Sequence, residues 1–194
     1  MQGRSSLKMT LEDRKAEEGH AALKEGKKML KTSVFGRWKP DFEGAAGSFE
    51  RAATCFKIAK APTEAIAAYK EASECLTRLE SGFMAAKHLE SAGFIAREIK
   101  DALQAAALYE QAAELHRMDG RIDNAAEAFG KGALAVEEAD IARGGEMMVA
   151  ACALYDDEED EPRLLGSIEV FKKVLLHCLN SRRCFDWRGS PSPI

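Results

Sequence analysis

The chain has 194 residues, a net charge of −4, and a composition that is 46% apolar and 31% charged but only 7% aromatic. That length allows one domain with a sizeable core or an extended array, and the scarcity of aromatics suits a thin helical stack better than a thick globule. No run reaches the ~20 apolar residues of a transmembrane helix, Met1 to Lys15 lacks the apolar core of a secretory signal, and outside the N-terminal end the chain is acidic with no basic residues interleaved with aromatics as nucleic-acid binding would need, so the sequence reads as a soluble, cytoplasmic protein with no nucleic-acid partner.

The charge is unevenly placed. Residues 1–40 hold ten Lys/Arg against five Asp/Glu, a local +5 that leaves −9 for the remainder. Such asymmetry points to an acidic partner or an anionic surface for the N-terminal end. The first helix is expected from about Leu7 to Ser33, with Leu23, Leu30 and the Ala16, Ala21 and Ala22 cluster on a small apolar face. Val34-Phe35-Gly36-Arg37-Trp38-Lys39-Pro40 follows as a loop. Pro40 disfavours helix at Lys39, and Asp41 is suited to cap the next helix. Val34, Phe35 and Trp38 stand beside Lys27, Lys28, Lys31, Arg37 and Lys39, with no acid between Lys27 and Lys39. Apolar wedges with basic flanks suit an anionic membrane, where each cation contributes roughly 1 kcal/mol and Trp favours the interface. The competing expectation is that Trp38 and Phe42 pack between the first two helices.

From Glu43 to Val136 the sequence repeats every 20 residues. Phe49, Tyr69, Leu89, Tyr109 and Phe129 form one column. Ala52, Ala72, Ala92, Ala112 and Gly132 form a second, and Ala45, Ala65, Ala85, Ala105 and Ala125 a third. Within each unit the columns sit at i, i+4 and i+7, one face of an α-helix. One helix cannot bury that face alone, whereas stacked copies can, and a fixed period in this range marks a solenoid. Helices are therefore expected at about Phe42–Lys60, Thr63–Leu79, Phe83–Ile99, from the Asp101 cap to Met118, and Asp123–Glu138. Breaks are expected at Ala61-Pro62, Ser81-Gly82 and Asp119-Gly120. Gly145, Val149 and Cys152 continue the 20-residue step into a seventh helix, whose start Gly144-Gly145 weakens.

The array is expected to span residues 1–155. Asp156 to Glu161 is an uninterrupted acidic run before Pro162, read as a solvated linker over 156–162. An amphipathic helix is expected over 163–179, with Leu165, Ile168, Phe171, Val174, Leu175 and Leu179 as its stripe, and a disordered tail over 180–194. The five cysteines show no metal spacing and read as reduced, partly buried thiols. The four histidines are scattered, and His116 falls on the helix face seven residues after Tyr109. No phosphate-loop, dinucleotide, zinc-protease or hydrolase motif is present. No enzyme activity, metal or cofactor is expected.

Three stretches carry a resemblance: KTSVFGRWKPDFEGAAGSFERAATCFKIAKA at Lys31 to Ala61, AAKHLESAG at Ala85 to Gly93, and ALYEQAAELHRMDGR at Ala107 to Arg121. With WKPD before the first repeat and helices stepping by 20, they resemble the soluble NSF attachment proteins in their gamma type, over about Lys24 to Leu154. The resemblance implies an all-α fold, a right-handed twisted sheet of antiparallel helical hairpins of the TPR-like α-solenoid kind. It implies an adaptor in vesicle-mediated transport that lies along the SNARE four-helix bundle and recruits the ATPase NSF. It also implies peripheral membrane contact through the loop between the first two helices, here Val34, Phe35, Arg37, Trp38 and Lys39. A SNARE bundle carries much exposed acid, so cations late in successive helices or in turns, namely Lys87, Arg97, Lys100, Arg117 and Arg121, are the expected contacts. Family members carry further helices that engage NSF where this pattern ends near Asp156. The expectation is thus a shortened form that binds SNARE-bearing membranes without supporting NSF. The alternative is a general helical-repeat scaffold that presents a groove to another peptide or helix.

Overall fold

A computed structural model describes residues 9–31 and 39–155. Their regular structure is entirely helical: α1 (Leu11–Leu30), α2 (Phe42–Ile58), α3 (Pro62–Arg78), α4 (Gly82–Glu98), α5 (Ala102–Met118), α6 (Ile122–Val136) and α7 (Ile141–Ala153). The expected acidic linker, the helix over 163–179 and the tail lie outside the described residues, as do residues 32–38 of the expected membrane loop.

Local chemistry starts the later helices close to where the sequence says it should, whereas α1 begins at Leu11 and ends at Leu30, inside the expected Leu7 to Ser33, because Thr10 caps its start and Lys31 turns extended. Thr10 closes a capping box on α1, its hydroxyl accepting from the Asp13 N–H and the Asp13 carboxylate accepting from the Thr10 N–H. Asp41, Asp101 and Asp140 each accept the backbone N–H three residues on. Pro62 occupies the first turn of α3, where its missing N–H costs nothing. Ser81 stands at the N-cap of α4 without making a side-chain cap bond, and Gly82 lies inside the helix, not as a stop before it.

One turn, repeated four times, sets the period. After α2, α3, α4 and α5 the chain enters the left-handed region at Lys60, Glu80, Lys100 and Gly120, with φ of 56°, 57°, 63° and 71°. The following N–H reaches back to the carbonyls of Phe56, Leu76, Ala96 and His116, each at 2.9 Å. This is the paired C-terminal motif that satisfies the last carbonyls of a helix. The residue that makes that bond is already the N-cap of the next helix, so each helix reverses at once and lies antiparallel to its predecessor.

The columns are the core. Phe49, Tyr69, Leu89, Tyr109 and Phe129 are all buried, as are the alanines that flank them. The column expectation fails at α7. Gly145 and Val149 are exposed, Val149 by 70%, while Gly144, Met148, Ala151 and Tyr155 are buried. The α6–α7 connection lacks the left-handed residue, and the caps at Arg121 and Asp140 are 19 apart instead of 20. A one-residue shortening turns the buried face back by one position along the helix.

The main packing runs between chain neighbours, from α1·α2 through α6·α7. Ion pairs tie helices two apart: Lys27 of α1 to Glu71 of α3, Lys131 of α6 to Glu90 of α4, and Arg143 of α7 to Glu110 of α5. Odd-numbered helices thus form one layer and even-numbered helices the other. At the start of the stack α1 approaches α2 closely through two glycines. A Cβ on Gly19 would stand 2.8 Å from the Phe56 ring, and one on Gly26 2.8 Å from the Phe49 ring. Phe42, Leu23, Met29 and Leu30 are partly buried against the cluster of Ala45, Ala46, Phe49, Ala72 and Cys75.

Candidate interaction surface

Because successive turns alternate, the stack has two ends. Lys31, Lys39 and the α3–α4 and α5–α6 turns lie at one. The N-terminus of α1 and the α2–α3, α4–α5 and α6–α7 turns lie at the other, where Lys60 pairs with Glu12 at 2.6 Å.

The five candidate cations divide between these ends. Arg117 ends α5 and pairs with Glu114 at 2.7 Å. Arg121 sits in the next turn, bonded to Asp119 at 3.1 Å with its guanidinium 4.3 Å over the Phe83 ring. Lys87, a turn and a half into α4, lies 5.7 Å from the same ring. Arg97 is at the opposite end of α4, 5.3 Å over the Phe94 ring, and Lys100 follows in the left-handed turn position. The structure brings Lys87 and Arg121 together around Phe83, and Arg97 together with Lys100. A helix of 17 residues, roughly 25 Å long, separates the groups. Of the expected membrane loop, Lys39 is described and exposed, whereas Val34, Phe35, Arg37 and Trp38 lie outside the described residues.

Between α4, α5 and α6 lies a polar cluster that sequence reasoning missed. Glu90 receives Lys131 Nζ at 2.8 Å, Lys87 Nζ at 3.2 Å and the His116 Nε2 at 2.9 Å. His116 is fully buried, and its Nδ1 has no partner. Burial pushes the Glu90 carboxyl up, but the hydrogen bonds from Lys131 and His116, with the charge of Lys131 and the bond from Lys87, outweigh it and hold the group below its ordinary value. Burial likewise lowers Lys131, and its bonds to Glu90 and Glu127 more than restore it, so its ammonium is held above its ordinary value. The partners are 26 and 41 residues from Glu90. The sequence signal for Lys131 would have been the rule that helices two apart share a layer, and for His116 its place on the buried face of the adjacent helix α5.

A groove of about 620 Å³ runs between α3 and α5. Leu89 of α4 forms its floor, Lys70, Glu74 and Arg78 stand on one wall, and Glu110, Gln111 and Glu114 on the other. Cys75, beside the groove on α3, offers no chemistry here. Burial pushes the Cys75 thiol up to about 11, with Glu71 and Glu74 adding to the effect, so it is a packing residue and not a nucleophile. Among the described residues no group of His, Cys, Asp and Glu is placed to hold a metal ion, and no helix is long and apolar enough to cross a membrane. The arrangement presents charge, shallow apolar relief and a rigid helical frame, which is the chemistry of binding.

A family model described as soluble NSF attachment protein, SNAP, matches residues 16–177. A gamma-soluble NSF attachment protein of Dictyostelium discoideum is 34% identical over 174 residues, covering 89% of this chain and 52% of that protein. One from Arabidopsis thaliana is 31% identical over 131 residues, covering 68% of this chain and 45% of that protein. The chain thus spans about half the length of these relatives. Among solved structures, BtubC from P. vanneervenii superposes with a TM-score of 0.48 at 15% identity, covering 93% of this chain and 80% of that one.

Proposed function

The chain belongs to the soluble NSF attachment protein family, and from that premise we propose that it is an adaptor that binds SNARE complexes at membranes and recruits the ATPase NSF to them. The observation that carries the reading is the family match across residues 16–177, which includes every helix from α2 to α7. The stack supports it physically. Four short turns of one kind and a column core give a stiff frame, and a stiff frame can lay cations along an elongated acidic bundle without a large ordering cost. Arg97 and Lys100 at one end, with Lys87, Arg117 and Arg121 toward the other, would contact such a bundle at two points along its length. The apolar and basic residues Val34, Phe35, Arg37, Trp38 and Lys39 supply the peripheral membrane contact in this reading.

The test is capture of an assembled SNARE four-helix bundle in solution. Reversing Arg97, Lys100 and Arg117 to Glu together is expected to weaken capture and to flatten its dependence on salt. Unchanged affinity and unchanged salt dependence would remove these cations from the interface. The NSF arm is tested separately, by whether NSF joins the captured complex. The α3–α5 groove favours a second reading, a helical-repeat scaffold for another amphipathic helix. On that reading Lys70→Glu with Gln111→Lys, exposed on the groove walls, weakens partner binding and the triple reversal does not.

A further inference from the structure

We infer that residues 163–179 return along α7 and cover its outward face, so that Ile141, Gly145, Val149 and Cys152 are packed under the apolar stripe of Leu165, Ile168, Phe171 and Leu175. The inference is independent of the adaptor reading, and it makes this face an internal contact and not a site for a partner.

The slip at the α6–α7 connection decides which side chains of α7 point outward. With one residue missing, each position of α7 matches the one 19 earlier in α6. Gly145 then stands where Ala46, Ile66, Ala86, Ala106 and Ala126 stand, and Cys152 where Ala53, Ser73, Gly93, Ala113 and Ala133 stand. All of these earlier residues are buried. They belong to helices packed by a chain neighbour on each side. Two of them are seen against the helix that follows: a Cβ on Gly93 would lie 3.2 Å from the Tyr109 ring, and one on Gly144 lies 3.3 Å from the Ala133 carbonyl. Among the described residues α7 has a chain neighbour on one side only. A Cβ on Gly145 would meet nothing within 4 Å, Ile141 is 49% exposed and Val149 70%. Val149 also replaces a charge, since Glu50, Lys70, Glu90 and Glu110 hold that position in earlier units. A face that needs no cover would keep the charge.

Three observations choose the occupant. The family match reaches residue 177, past α7 and through this segment. The reach is sufficient: the Tyr155 hydroxyl donates to Asp123 at 3.1 Å and fixes where the chain leaves α7. Residues 156–162 can then span about 23 Å, against roughly 8–10 Å between packed helix axes. Charge is the third. The outward face carries Glu146, and the segment carries Arg163, Lys172 and Lys173 against Glu169. An antiparallel return about the middle of 156–162 sets Lys172 level with Glu146. A second copy seated here on a twofold axis would instead bring Glu146 toward its own counterpart. An anionic membrane would be repelled by Glu146 and by the acidic run that follows α7.

The experiment is amide exchange of the full chain. Val149→Lys and, separately, Gly145→Gln each put a better helix former into α7. On a bare face they would leave α7 as well protected or better. On a covered face they are expected to speed α7 exchange roughly tenfold while α3 to α5 keep their protection. Phe171→Ser, outside α7, is expected to cause the same loss in α7. Leu103→Lys, on the exposed side of α5, should leave α7 unchanged. Unchanged or slower α7 exchange in the Val149 and Gly145 variants overturns the inference, as does a Phe171 variant without effect. So does α7 protection that appears only where the chain sediments as a dimer, which assigns the face to a second copy. Protection gained only on adding phosphatidylserine vesicles assigns it to a membrane and overturns the inference equally.

Discussion

Glu90 is asked to satisfy three nitrogen groups with one carboxylate, and two of its partners come from helices other than its own. Glu90→Gln keeps the shape and removes the charge, leaving Lys131 half-desolvated and weakening the bond to His116. The expected cost is about 1.5–3 kcal/mol, read from denaturant unfolding; a change below about 0.5 kcal/mol would mean solvent carries the cluster. Two shifted groups also set the response to acid. His88 is buried against Tyr69, with ring centroids 5.7 Å apart, and burial lowers its pKa below 6.5 despite the nearby Glu50. The unfolded chain therefore binds a proton here first, and stability is lost as pH falls below 6.5 toward the folded value. The Glu90 carboxyl is also held low, so a further loss follows below 4.5 as pH falls through its folded value. Thermal melts from pH 8 to 5 are expected to show the first loss in the natural sequence and much less of it in His88→Phe, which keeps the ring and cannot charge. Equal acid sensitivity in both would assign the loss elsewhere.

The unit of this fold at the scale of an element is the helix and the turn that ends it. Three of the four repeated turns put a residue with a Cβ into the left-handed region, where that conformation costs roughly 1–2 kcal/mol, and only the fourth uses glycine. Glu80 is exposed and its side chain makes no ion pair among the described residues. Glu80→Gly is therefore expected to raise stability by about 1 kcal/mol, and Gly120→Ala to lower it by a similar amount. A melt that shows both substitutions neutral would show that the turn geometry does not govern the stack. The same motif explains why the period is so regular. Its bonds fix where each helix stops and where the next begins, so the buried face returns at the same angle until the α6–α7 connection drops a residue.

For the whole molecule, packing between chain neighbours means that no single core holds everything at once. Damage at one position should stay local. Gly26→Leu offers a test, because any side chain there meets the Phe49 ring. Leucine is a better helix former than glycine, so a loss would come from the α1–α2 contact and not from α1 itself. Amide exchange is expected to accelerate in α1 and the facing part of α2 while α4 to α6 keep their protection. Uniform loss of protection would describe a single cooperative domain instead of a stack.

The sequence by itself determined the helices, their spacing and the column core. Those depend on local capping groups and on a periodicity that one strand of text displays, as Asp41, Asp101 and the Phe49-to-Phe129 column do. It also pointed to the family, through the stretches around Trp38, His88 and His116. The tertiary structure decided what depends on residues far apart in the chain. The Glu90 cluster joins positions 26 and 41 residues away, and Gly19 and Gly26 have meaning only once the Phe56 and Phe49 rings lie over them. The division of the five candidate cations between two ends follows from antiparallel packing, and the slip at α7 from one residue missing in a turn. A repeating pattern fixes the face each helix buries. Which distant side chains then meet is set by how the turns return the chain, and that is a property of three dimensions.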